Sequence, residues 1–146
     1  MLLKEFFHHA HWLAIGVAAL VYFALGALWF SALFGKAWMA GHNIQMPTDE
    51  AEKAKMKKMM PMLMIKTFLM NVLMALAVGI ILKAIPPQSI NCMMGIKVGI
   101  LLGGFASIPL AMSHMYTMKS IKLTLIDASY HIFSITLMSI IIAVWH

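Results

Sequence analysis

Four long apolar runs constrain this chain more than any other feature of its sequence. They cover residues 12–34, 62–82, 92–112 and 123–145. Crossing the ~30 Å hydrocarbon core of a bilayer takes roughly 20 mostly apolar residues at ~1.5 Å of helix rise each, and each run meets that length. The first carries no charge, the second only Lys66, the third only Lys97, and the fourth only Asp127 besides the titratable His131. A span must satisfy its backbone N–H and C=O groups internally, so helices are expected; barrel strands would read as alternating segments of about ten residues. Composition agrees, with 62% of the 146 residues hydrophobic and 11% charged, against about 25% charged in soluble domains. The expected fold is all-α: a polytopic integral membrane protein built as an antiparallel bundle of four transmembrane helices, one domain over residues 1–146. The first run is too long for the ~7–15-residue core of a signal peptide, and no small-x-small cleavage site follows it. It is expected to be an anchor.

Lysines orient the bundle. The connector after the first run carries Lys36, Lys53, Lys55, Lys57 and Lys58, and the connector before the last carries Lys119 and Lys122. Two crossings separate these connectors, so they share a side, and only Lys4 and Lys83 lie opposite. The positive-inside rule then puts both basic connectors in the cytoplasm and both termini outside the cell membrane. The net charge of +6 sits beside the spans, which points to anionic headgroups rather than nucleic acid as the partner. Within the first connector, Pro47-Thr48-Asp49-Glu50 starts a short amphipathic helix over about 48–60, with acids first, lysines later and an Asp49–Lys53 pair. Pro61 either opens the second span or kinks a longer helix. Pro86-Pro87 marks a tight outer turn.

Inside the spans, small residues and polar residues carry the information. Gly95, Gly99, Gly103 and Ser107 recur every fourth position, a flat strip that lets another helix approach closely within the bundle or between subunits of a homo-oligomer. Lys97 lies about 200° around from Gly95 and can snorkel. Asp127 cannot, and a carboxylate in a span costs about 2.5–3.5 kcal/mol on the insertion scale. Lys66 lies at matching depth, ~7–8 Å from the cytoplasmic side, so a Lys66–Asp127 ion pair is expected. His131 follows Asp127 by one helical turn with Thr124 and Ser134 beside it, and Asn71 shares the depth of His131. Such a network suits a proton relay, a supported metal ligand, or polar glue between helices.

The single cysteine, Cys92, excludes an intrachain disulfide and disulfide-exchange chemistry. Sixteen methionines are either ordinary gap fillers or soft-metal donors. On the second reading His114 with Met112, Met115 and Met118, and Cys92 with its neighbours Met93-Met94, would favour Cu(I). The N-terminal His8-His9-x-His11 adds imidazoles on the outer side.

Two stretches carry a family resemblance. Trp29-Phe30-Ser31-Ala32-Leu33-Phe34-Gly35-Lys36-Ala37-Trp38-Met39 closes the first run, and Lys119-Ser120-Ile121-Lys122-Leu123-Thr124-Leu125-Ile126-Asp127-Ala128-Ser129-Tyr130-His131 opens the last. Both resemble the small four-span membrane family catalogued as domain of unknown function 1761. The resemblance covers the chain in length and span order, with Lys119-Ser120 where the family pattern has arginine-serine. It implies the same topology and places Asp127, Tyr130 and His131 at the family's polar positions, without naming a reaction.

Three functions compete. One is a small oligomeric transporter or channel-like protein with Lys66, Asp127 and His131 along a polar path. Another is a soft-metal or haem-type cofactor protein using Met and His; the third is a structural or accessory subunit. No nucleophile–base pair or phosphate loop stands outside the spans, so an enzyme is not expected. The topology yields the first test: a reporter fused after His146 reads as external and one inserted near Lys55 as cytoplasmic. Finding both on one side would overturn the span count, and finding them swapped would overturn the orientation.

Overall fold

The structure, a computed structural model, describes residues 11–145. Lys4, His8 and His9 lie outside the described residues. Among the described residues all regular structure is helical and no strand forms. Helix α1 (Trp12–Leu28) runs on through a π-helical turn, Trp29–Leu33. The short α2 (Gly35–Gly41) follows, then the 34-residue α3 (Glu50–Lys83). A 3-10 turn at Pro87–Ser89 leads to α4 (Cys92–Tyr116), and α5 (Ile121–Val144) ends the described chain. Four segments, Trp12–Leu33, Glu50–Lys83, Cys92–Tyr116 and Ile121–Val144, are long and apolar enough to cross a membrane.

The connector helix and the second run form one continuous helix with Pro61 inside it, which is the longer-helix alternative for that proline. Proline removes one N–H and leaves the Lys57 carbonyl without its donor. Lys57 is exposed, so water can take that acceptor at little cost. Lys53 bridges Glu50 at 2.8 Å rather than Asp49, because Asp49 stands outside the helix as its N-cap residue. α4 likewise runs past Pro109 to Tyr116, a turn beyond expectation, and that turn carries His114.

α5 is the hub, packing on α4, α1 and α3, with its most extensive contact to α4. The small-residue strip makes that contact. A Cβ added to Gly95 would stand 2.9 Å from the Ile140 Cα, one on Gly103 would meet the Ile132 Cα, and one on Gly99 would overlap the backbone of Thr136. The paired positions fall as the strip rises, so these two helices run antiparallel. Ser107 completes the seam: its hydroxyl donates to the Gly103 carbonyl at 2.7 Å and to the Ala128 carbonyl at 3.2 Å. Small residues permit this backbone approach, and dispersion between the closely spaced chains rewards it.

On its other side α5 meets α1, where the Trp29 indole N–H donates to the Ile126 carbonyl at 3.2 Å and the Tyr22 and Tyr130 rings meet edge-on at 5.4 Å. α3 joins through Phe68, which is T-shaped on Phe23 at 5.9 Å, and through buried Ala75, Val78 and Leu82. The outer faces stay apolar, with Leu20, Leu73, Leu101, Phe105 and Ile108 exposed. A helix that is apolar all round suits a surrounding of lipid.

The seam predicts an asymmetry between two glycines of α4. Gly99→Ala is expected to cost about 1–3 kcal/mol, since a backbone cannot rotate out of the way of the new methyl group. Gly104→Ala has nothing within 4 Å of the added carbon and is expected to be neutral or mildly stabilising through helix propensity. Thermal unfolding of the two variants in detergent checks this, and equal melting temperatures would remove the seam from the packing argument.

Candidate functional site

A carboxylate buried among apolar helices must find compensation. Asp127, in the second turn of α5, is 6% exposed, and two imidazoles face it. His114 Nε2 stands 3.5 Å from Asp127 Oδ2 and His42 Nε2 stands 3.6 Å from the same oxygen. One donor atom from each of the three residues lies within 4.8 Å of the other two. The second oxygen, Oδ1, is buried without a hydrogen-bond partner.

Helix endings deliver both histidines. Asn43 and Met118 adopt left-handed φ angles of 56° and 54°, and each closes a Schellman motif. In α2 the Ile44 N–H donates to the Met39 carbonyl at 2.9 Å and the Asn43 N–H to Ala40 at 3.2 Å. In α4 the Lys119 N–H donates to the His114 carbonyl at 2.9 Å and the Met118 N–H to Met115 at 3.2 Å. α2 then folds back onto the start of α5, where an added Cβ at Gly41 would stand 2.9 Å from Leu123 Cδ1. A side chain at this position would require Leu123 to shift before His42 could come so close. Lys119 Nζ donates to the Gly41 carbonyl at 3.3 Å, and Ser120 Oγ caps α5 by accepting from the Leu123 N–H at 3.3 Å. Lys119 thus ties the end of α2 to the start of α5, and Ser120 caps that start.

His114 Nδ1 is hydrogen-bonded to the Thr124 hydroxyl at 3.1 Å, and the same hydroxyl lies 3.3 Å from the Ser120 carbonyl. When Thr124 donates to that carbonyl its oxygen accepts from Nδ1–H, and a neutral ring in that tautomer turns its Nε2 lone pair toward Asp127. A lone pair facing a carboxylate is repulsive unless a cation or a proton lies between. The separations of 3.5 and 3.6 Å exceed those of ordinary N–H···O bonds, about 2.7–3.2 Å. They match two ligands of one tetrahedral zinc-sized ion: bonds of ~2.0–2.2 Å place ligand atoms ~3.3–3.6 Å apart. The C-terminal ends of α2 and α4, where carbonyls carry partial negative charge, favour a cation there as well.

The expected Lys66–Asp127 pair does not form among the described residues. Lys66 is exposed, roughly 160° around α3 from the face formed by Asn71, Ala75, Val78 and Leu82. Depth matched, but direction did not. Lys97 is also exposed, on the outer face of α4. The remaining expected residues divide into two groups. Thr124 stays with Asp127, whereas His131 Nδ1 meets the Tyr22 hydroxyl at 2.9 Å and the Tyr130 hydroxyl donates to the Tyr22 carbonyl at 3.4 Å. Asn71 and Ser134 are buried on the α3 and α5 faces nearby.

Nor do the soft donors assemble. Met112, Met115 and Met118 are exposed around His114, which alone turns inward. Cys92 is exposed at the far end of α4, roughly 33 Å away by helix rise. Two members of the polar groups are absent from the sequence reading, His42 and Tyr22. The signals were Gly41-His42-Asn43, an imidazole between a glycine and a residue prone to left-handed φ, and a lone phenol in an uncharged span.

A family model described as "Protein of unknown function (DUF1761)" matches residues 13–143, a range that includes every residue of both polar groups. No curated protein and no solved structure matches the chain.

Replacing either partner should separate the observed pairing from the expected one. Lys66→Met is expected to shift unfolding free energy by no more than about 0.5 kcal/mol, as at other exposed positions. His114→Ala, which strips a partner from a buried carboxylate, should cost about 3–5 kcal/mol. Comparable losses in the two variants, read from detergent unfolding curves, would restore Lys66 as the partner of Asp127.

Proposed function

We propose that this chain, which belongs to the DUF1761 family of proteins of unknown function, is a multi-pass membrane protein that binds a divalent transition-metal cation between His42, His114 and Asp127. The observation that carries the reading is the buried Asp127 carboxylate, with one oxygen unpartnered and the other facing two imidazole nitrogens at 3.5 and 3.6 Å. Two imidazoles and a carboxylate are borderline-to-hard donors, suited to zinc or ferrous iron and poorly suited to Cu(I). Three protein ligands leave at least one coordination position for water or another ligand. Thr124 would orient His114 from behind, the usual role of an outer hydrogen bond on a metal-bound histidine.

The membrane placement rests on the four apolar helices and the lysine asymmetry. With the basic connectors in the cytoplasm, the metal centre lies at the cytoplasmic end of the bundle, beside lysines that meet anionic headgroups. We read the chain as a cation-handling protein that works as a homo-oligomer, and not as an enzyme. A path lined by Lys66, Asp127 and His131 has lost its support, because Lys66 is turned outward and Tyr22 engages His131.

Titration of the metal-free, detergent-purified protein with Zn2+ and Co2+ tests the reading. Stoichiometric binding is expected, with the visible bands of tetrahedral Co2+. Thr124→Val should weaken it about 10–100-fold, and His42→Ala or His114→Ala by more. Absence of stoichiometric binding, or binding unchanged in both histidine variants, would reduce the cluster to a proton-sharing structural contact.

A further inference from the structure

A cavity of about 540 Å3 lies between α1, α3 and α5. That is the size of pockets that hold small organic ligands, about 300–1,000 Å3. Phe23, Phe30 and Tyr130 wall it with aromatic rings, and Leu63, Met64 and Met70 line it from α3. These three are exposed on the outer surface, so the cavity communicates with whatever surrounds the helices. Its lining includes two polar side chains, Asn71 and His131. Asn71 is 7% exposed, and its Nδ2 has no hydrogen-bond partner. The His131 ring is held at Nδ1 by the Tyr22 hydroxyl at 2.9 Å, and in the tautomer that accepts from Tyr22 it carries its proton on Nε2.

A buried amide N–H without an acceptor costs about 1–3 kcal/mol, and an apolar cavity offers no water network to relieve it. The missing partner is an acceptor oxygen on an otherwise apolar, flat molecule. Depth selects its class. Asn71 is nine residues into the second apolar run, ~14 Å from its edge and near the bilayer midplane. An ester carbonyl of a phospholipid is held at headgroup level and cannot reach there without drawing the headgroup into hydrocarbon. A neutral ring carbonyl on an apolar tail can.

We propose that this pocket binds a bilayer-soluble quinone, with the Asn71 amide and the His131 imidazole as donors to ring carbonyl oxygens. Aromatic walls stack on the ring, and the open side toward α3 passes its tail into lipid. The pocket shares no residue with the metal centre and draws only on the membrane placement of the preceding reading.

Calorimetric titration of the full chain in detergent with a decyl-substituted benzoquinone, chelator present, tests this independently of metal. Saturable binding is expected, at least tenfold tighter than that of decylbenzene, which has the same tail and no carbonyl. Asn71→Leu should lose tenfold or more in quinone affinity while melting no lower than wild type, because it removes an orphaned amide. Ala27→Phe, at an exposed position of the pocket lining, fills the cavity without touching the core and should abolish binding even if Asn71→Leu does not fold. Equal affinity for decylbenzene, unchanged quinone binding in Ala27→Phe, or a stoichiometric phospholipid or fatty acid that quinone does not displace would each overturn the proposal.

Discussion

The backbone contact between α4 and α5 is the constraint from which the rest follows. Apolar helices in an apolar surrounding gain nothing by hiding from water, so they need another reason to stay in register. Gly95, Gly99 and Gly103 supply it by letting α4 rest on the main chain of α5, and Ser107 pins the register with a hydrogen bond to Ala128. Two turns further on, that register sets His114 against Thr124 and Asp127. A slip of one residue would rotate the imidazole by about 100° and remove it from the carboxylate.

One helix carries nearly all the chemistry, and its two polar groups are settled differently. Around Tyr130 and His131 the tyrosine hydroxyls find hydrogen-bond partners and the aromatic rings interlock. Around Asp127 the partners converge without closing, at distances too long for hydrogen bonds and with one oxygen left over. The difference follows from geometry. Tyr22 reaches His131 from a helix packed along α5, whereas His42 and His114 arrive from helix ends whose positions are set by left-handed residues and by Gly41.

The four helices were legible because a bilayer-length apolar run leaves few alternatives, and the glycine strip because close approach needs small residues at fixed spacing. Asp127 was legible as an expense, but its partner was not. Counting residues from an edge gives height along a helix and says nothing about azimuth, and Lys66 has the right height on the wrong face. His42 was hidden for another reason: a seven-residue helix folds back with Gly41 against Leu123, a contact between residues 82 positions apart. The methionines stayed open to two readings because their number says nothing of direction; exposure around His114 is set by the wheel of α4 and not by their count.

The continuity of α3 has a mechanical consequence. At 34 residues it is about 51 Å long, some 20 Å more than a hydrocarbon core. Its lysine-bearing turns therefore cannot lie down on a surface independently of the part that carries Asn71. They form one lever, and a tilt imposed on the charged end, by a change in surface charge or by a docked partner, swings the wall that Met64 and Met70 present to Tyr22 and His131. Severing that stiffness at Pro61 would leave each end intact and uncouple them.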